Sequence, residues 1–266
     1  MAKERAKETA LITGASSGIG EALAYQFADA GFNLVLVARS VSKLESLAQE
    51  LAESYSIEVG VEPLDLSVPG AAQELRQRLV EKHFTIDVLV NNAGVLEHGR
   101  FVDKGVEDFK KIIDLNVSGL TEMLHAFLPA MLKRERGRIL NVGSIAAFQP
   151  VPSLAVYAAS KAYVLSLTEA LSEEHRGSGV TFTALCPGFT ETPMVTNVEQ
   201  AEGGRKLPDF VVGDAQKVAR EGFEACIKGE VICIPELINK ATALSFSKSP
   251  RWLVRRLTGL LGRGSL

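Results

Sequence analysis

The stretch Thr9-Ala10-Leu11-Ile12-Thr13-Gly14-Ala15-Ser16-Ser17-Gly18-Ile19-Gly20 decides the fold. Residues 10–12 are a short apolar run of strand character, and residues 18–30 carry the apolar spacing of a helix that Gly31 ends. The turn between them holds glycines at 14, 18 and 20. A residue without a Cβ lets such a turn adopt positive φ and lets main-chain amides approach a pyrophosphate, whose charge the helix N-terminus stabilises. A glycine triplet alone reads equally well as a structural turn. Its position at the first strand–helix junction favours the nucleotide reading, so Gly14, Ser16, Ser17, Gly18, Ile19 and Gly20 are candidate binding residues.

Outward from that junction the same rhythm repeats. Residues 33–38, 57–64, 86–90, 138–142, 180–186 and 231–234 are short apolar runs, several rich in Val, Leu and Ile, as strands covered on both faces should be. Between them, residues 42–53, 70–83, 107–132, 153–175 and 214–228 show helical periodicity. Alternating strands and helices of these lengths predict a parallel sheet with right-handed crossovers and helices on both faces. One doubly wound α/β domain over residues 1–266 is the economical reading. Residues 193–213, with Gly203-Gly204 and Pro208, break the rhythm and read as a lid.

Composition closes off several classes. The 266 residues are 46% hydrophobic and 23% charged, ordinary for a globular domain, and the net charge of -3 gives no whole-chain reason to expect nucleic acid. Three cysteines (Cys186, Cys226, Cys233) are too few and scattered for a disulfide framework, which favours a reducing, cytoplasmic setting. The four histidines lack metal-ligand spacing, so no metal is expected. The charged residues 1–8 predict neither a signal peptide nor an anchor, and no run reaches the roughly 18–20 apolar residues of a spanning helix.

The remaining candidates sit where strands end. Arg39 follows the second strand, where a site selecting NAD would carry an acid for the ribose 2′-hydroxyl. The acid is absent and the guanidinium fork suits a 2′-phosphate, so NADP(H) is favoured over NAD(H), with a surface arginine as the alternative. Asp65 after the third strand reads as a contact to adenine or as a helix cap. Asn91-Asn92-Ala93-Gly94 ends the fourth strand and either lines the adenosine side or ties strands together. Ser144 follows the fifth, where a turn or helix cap is the alternative, and Pro187-Gly188-Phe189-Thr190-Glu191-Thr192 follows the sixth, giving a rigid turn with hydroxyls for a nicotinamide carboxamide, or a connecting turn and helix N-cap.

Tyr157 and Lys161 are four residues apart, on one face of a predicted helix. A free phenol titrates near 10, and a neighbouring ammonium favours the phenolate, which brings the group toward the working range of a general acid or base. Asn116 lies inside a long helical pattern, where an amide is mildly unfavourable and reads as a bend, a water site or a solvent-facing side chain.

Thr13-Gly14-x-x-x-Gly18-x-Gly20, Asn91-Asn92-Ala93-Gly94, Asn116, Ser144, Tyr157-x-x-x-Lys161 and Pro187-Gly188 together resemble the motif set of the short-chain dehydrogenase/reductase family. The resemblance runs from about residue 9 to 234, and residues 238–247 resemble its NADP-preferring reductase branch. It implies a Rossmann domain with a seven-stranded sheet and reversible carbonyl–alcohol chemistry on a small-molecule substrate. In that scheme Tyr157 protonates the carbonyl oxygen, Ser144 polarises it, Lys161 holds the nicotinamide ribose and lowers the tyrosine pKa, and Asn116 positions a relay water. It also implies a homodimer or homotetramer packed through the helices containing Asn116 and Tyr157. The cofactor set is then Gly14, Ser16, Ser17, Gly18, Ile19, Gly20, Arg39, Asp65, Asn92, Ala93, Gly94, Tyr157, Lys161, Pro187, Gly188, Thr190 and Thr192.

His98, Phe148, Pro150, Val151 and Met194 are candidates to face a fairly apolar substrate. A nucleotide-binding regulatory or scaffold protein is the alternative function. The complete Ser144, Tyr157 and Lys161 set argues against it, since binding alone needs no tuned phenol. Within the expected helical tail, 236–266, the charges from residue 239 onward are all basic and interleave with Trp252, Leu253, Leu257, Leu260 and Leu261. That composition reads either as weak contact with an anionic membrane surface or as a helix docked on protein.

Overall fold

A computed structural model describes residues 7–191 and 213–235. The expected lid (save Gly213), Thr192, Met194 and the basic tail lie outside the described residues. Among the described residues the seven strands are β1 (Thr9–Thr13), β2 (Asn33–Ala38), β3 (Val59–Pro63), β4 (Val88–Asn91), β5 (Gly137–Val142), β6 (Val180–Leu185) and β7 (Ile232–Cys233). They form one parallel sheet in the order β3-β2-β1-β4-β5-β6-β7. The order reverses direction between β1 and β4. A sheet of this kind opens its ligand crevice there, beyond the carboxyl ends of the strands.

The helices are α1 (Gly18–Asp29), α2 (Val41–Tyr55), α3 (Ala71–Glu81), α4 (Val106–Ile113), α5 (Leu120–Lys133), α6 (Ala155–Glu174) and α7 (Ala215–Lys228). The two-residue period of the strands sorts their side chains between two cores. Ala10, Ile12, Leu34, Leu36, Val88, Val90, Leu140 and Leu185 pack with α1, α2 and α7. Leu11, Val35, Val37, Leu89, Ile139 and Phe182 pack on the opposite face with α3, α5 and α6. Both faces are therefore apolar, which is why the strands read as continuous hydrophobic runs.

One expectation needs correction. The single helix expected over 107–132 is three pieces: α4, a π-helical segment at Asp114–Gly119, and α5. The apolar period runs through the junction without a break, so periodicity alone does not reveal the wider turn. Packing is tight where this turn ends. Gly119 lies so close to the Leu66 carbonyl, in the loop after β3, that a Cβ would collide with main chain.

This contact generates a stability prediction. Gly119→Ala should lower unfolding free energy by about 1–3 kcal/mol, the usual cost of overpacking, as measured by urea denaturation. Wild-type stability in that variant would mean the π-turn tolerates a side chain against Leu66.

Candidate active site

The first βα junction is built around Thr13. Its hydroxyl accepts from the amides of Asn92 and Ala93 at 2.9 and 3.0 Å and donates to the Val90 carbonyl at 3.2 Å. Asn92 returns the connection, its amide donating to the carbonyls of Thr13 (2.8 Å) and Gly14 (3.2 Å). Asn92 and Ala93 thus bind the glycine turn itself and join the two halves of the sheet at the switch point. A Cβ on Gly14, which has φ 65°, would lie 2.8 Å from the Asn92 amide nitrogen.

At the start of α1, the N-cap Ser17 makes no side-chain cap hydrogen bond, leaving first-turn amides available for an anion. The glycine cradle and the uncapped helix end fit the pyrophosphate of a dinucleotide. Arg39 stands exposed after β2, its guanidinium 3.9 Å from the Asp65 carboxylate. Burial pushes the Asp65 carboxyl up, but hydrogen bonds from the Ser67 hydroxyl and amide, with Arg39 nearby, hold it below its ordinary value.

Ser144 caps the short 3-10 turn Ile145–Phe148 by accepting from the Ala146 amide at 3.1 Å. Tyr157 and Lys161, both on α6, are 9% and 5% exposed. The Lys161 ammonium donates to the Val142 carbonyl at the end of β5 (2.8 Å) and lies 5.7 Å from the centre of the Tyr157 ring. A Cβ on Gly94 would come within 3.5 Å of that ammonium and 3.3 Å of the Asn116 side-chain oxygen. Ser144, Tyr157, Lys161, Asn116 and Gly94 are therefore brought to one place.

Asn116 is 1% exposed and fully engaged. Its oxygen accepts from the Val95 amide (2.9 Å), and its nitrogen donates to the Val95 carbonyl (2.9 Å) and to Ser160 (3.2 Å). It fixes the loop after β4 to α6, and its NH2 group has no hydrogen left for a water. The solvent-facing alternative does not hold.

The electrostatics depart from expectation. Burial pushes the Tyr157 phenol up to about 12, although a hydrogen bond with Ser144 works the other way. Burial likewise lowers the Lys161 ammonium to about 8, and among the described residues no carboxylate forms a salt bridge with it. Desolvation is the largest influence on both groups, and the lysine–tyrosine attraction that the sequence suggests is not among the influences on either.

Pro187, Gly188 and Thr190 follow β6. The Thr190 hydroxyl, buried, donates to the Gly188 carbonyl (3.2 Å) and so stabilises its own turn. Val95, Leu96 and Val151 pack with Ala146 and Leu154 around Tyr157, while Phe148 packs with Cys186. His98 is half-buried on the same loop as Val95, and Pro150 is exposed. The neighbouring Gly99 amide ties that loop to the Ser153 carbonyl at 2.9 Å.

Cys186 is a site residue that sequence reasoning passes over. Its fully buried thiol is pushed up to about 12 by burial, while a hydrogen bond from the Ser144 amide and the charge of Lys161 act against that. The available signal was its place between the sixth strand and Pro187-Gly188.

Comparison with known proteins supports the family that the motifs suggest. Residues 8–203 match the family model described as short chain dehydrogenase. The chain is 40% identical over 192 residues to the oxidoreductase UcpA of Salmonella typhimurium, covering 72% of each. It superposes with a TM-score of 0.80 and 32% identity on a short-chain dehydrogenase from Sphingobium yanoikuyae in complex with NADPH, covering 92% of this chain and 97% of that one. A short chain dehydrogenase/reductase from Burkholderia phymatum in complex with NAD gives 0.79 and 28% identity, with 90% and 92% covered.

The buried ammonium makes a pH prediction. Folding lowers the Lys161 pKa from 10.5 to about 8, so between those values the unfolded chain binds more protons and stability must rise with pH. The penalty is complete below the folded value and relieved as pH climbs toward the unfolded one. Relative to Lys161→Met, the wild type should gain about 2–3 kcal/mol between pH 7 and 10, read from paired urea titrations. A stability difference that stays flat over that range would contradict the buried charge.

Proposed function

The chain belongs to the short-chain dehydrogenase family and is an oxidoreductase, and on that premise we propose that it is an NADPH-dependent carbonyl reductase acting on fairly apolar ketones or aldehydes. One observation carries the reading: the Ser144 hydroxyl, the Tyr157 phenol and the Lys161 ammonium gather where β5 meets α6, beside the strand ends that open the crevice.

Bound NADPH supplies hydride to the carbonyl carbon. Ser144 donates a hydrogen bond to the carbonyl oxygen and polarises it. Tyr157 passes its hydroxyl proton to that oxygen as charge develops there. A phenol held near 12 stays protonated at neutral pH, which is the form that reduction requires. Lys161 would hold the ribose hydroxyls of the bound cofactor, and its charge would stabilise the phenolate left behind. Asn116 holds the Val95 loop and α6 in register. The reverse oxidation needs the phenolate and accelerates as pH rises.

The glycine turn and the start of α1 would hold the pyrophosphate, and Arg39 would receive the 2′-phosphate that distinguishes NADP(H). The absence of an acid after β2 supports that preference. The apolar surroundings of Tyr157, with Val95, Leu96, Val151 and Leu154, support an apolar substrate. Exposed Val106 and Ile113 on α4 and Tyr163 on α6 support a homodimer or homotetramer joined through these helices. A cytoplasmic setting suits the buried thiols of Cys186 and Cys226. Among the described residues no helix is long and apolar enough to cross a membrane.

NADPH oxidation should be followed at 340 nm with probes running from short aldehydes through acetophenone to 9,10-phenanthrenequinone. Tyr157→Phe should cut turnover at least about 10²-fold, the usual contribution of a positioned acid; equal rates in both proteins would remove Tyr157 from the proton route. Arg39→Asp should move the NADPH/NADH ratio of kcat/KM toward NADH by about 10-fold or more, as expected for a charge-assisted contact. An unchanged ratio would remove Arg39 from cofactor choice.

A further inference from the structure

Behind Lys161, three polar side chains form a row in the interface between sheet and helix: Asn91 on β4, Asn141 on β5 and Thr168 on α6. They are 4%, 0% and 0% exposed. Strand register sets Asn91 directly beside Asn141. The direction of each bond follows from the helix end. The Thr168 hydroxyl donates its single proton to the Val164 carbonyl at 2.6 Å, so it can only accept from the Asn141 amide, at 2.9 Å. The Asn141 oxygen then accepts from the Asn91 amide, also at 2.9 Å. Both asparagines are thereby fixed in one orientation.

The row stops at the Asn91 side-chain oxygen, which is buried and has no partner. A polar chain that ends on an unsatisfied acceptor gains little net stability, because the desolvation of that atom offsets the bonds. Apolar side chains would fill the same space without that cost. What the row supplies is directional: these bonds form in one register and no other.

Its position shows which register matters. Thr168 stands two helical turns from Lys161 on the same face of α6. Asn141 is the strand neighbour of Val142, whose carbonyl takes the Lys161 ammonium. α6 is thus tied to β5 at adjacent residues, once through a rigid side-chain bond and once through a flexible lysine stem. The Thr168 bond adds a directional constraint on α6 that the flexible lysine stem lacks.

We propose that Asn91, Asn141 and Thr168 are positioning residues that set α6 on β5, so that Tyr157 and Lys161 stand at a fixed height over the crevice. The proposal rests on the catalytic reading of those two residues. Thr168→Val keeps shape and removes the hydroxyl, orphaning the Asn141 amide. Misplacement of a reacting group by about 1 Å costs up to about 10²-fold.

With acetophenone and 9,10-phenanthrenequinone as probes, kcat of Thr168→Val should therefore fall at least tenfold while KM for NADPH changes less than twofold. Thr168→Ser, which retains the hydroxyl, should recover most of the rate. A purely structural role would instead lower the melting temperature, leave kcat of the folded fraction intact, and make serine no better than valine; that pattern overturns the proposal. Should the valine variant not fold, Asn91→Ser breaks the far end of the row without touching α6. A threefold or larger fall in kcat supports the proposal and an unchanged kcat opposes it. Tyr157→Phe run alongside separates the two failures: full activity there overturns the catalytic reading and this proposal with it, whereas an inactive Tyr157→Phe beside a wild-type Thr168→Val overturns only the positioning role.

Discussion

A buried ammonium held by one main-chain carbonyl is the interaction on which the site depends. Lys161 is 5% exposed and donates to the carbonyl of Val142. A charge in such a place is costly to keep, and burial accordingly moves its pKa down to about 8. The fold tolerates that cost at the end of β5, beside Ser144 and under Tyr157, where an ammonium can act on ribose hydroxyls and on a phenolate. Stability is given up at the position where the proposed chemistry needs a charge.

The scaffold that makes this possible is the reversal of strand order between β1 and β4. Thr13 on one side and Asn92 and Ala93 on the other exchange hydrogen bonds across it. The glycine turn is therefore held from both halves of the sheet. Asn116 repeats the tactic one layer out, bonding the Val95 loop to α6 through the π-turn. The glycine turn, the helix that carries Tyr157 and the Val95 loop are thus connected through side-chain amides and not through apolar packing alone.

Much of this was legible in the sequence because both faces of the sheet are covered. Strands such as 33–38 and 138–142 read as continuous apolar runs, and the alternation with helices dictated the parallel sheet. Ser144, Tyr157 and Lys161 were readable from spacing and from their place after a strand. The π-turn at Asp114–Gly119 was not, because inserting a wider turn leaves the hydrophobic period intact. The binding partner of Asn92 was not either: a side chain that bonds the turn and one that lines an adenosine pocket look alike in sequence. Nor did the spacing of Tyr157 and Lys161 reveal that desolvation dominates their titration, since burial is a property of the assembled loops at Val95, Leu96 and Val151.

A crystal structure of the protein with NADP⁺ bound tests the central claim most directly. The account predicts the pyrophosphate against the glycine turn and the start of α1, the Lys161 nitrogen within hydrogen-bonding distance of the nicotinamide ribose, and the Ser144 and Tyr157 hydroxyls facing the same side of the nicotinamide ring. A ribose beyond reach of Lys161, or a nicotinamide ring placed away from Tyr157, would contradict it.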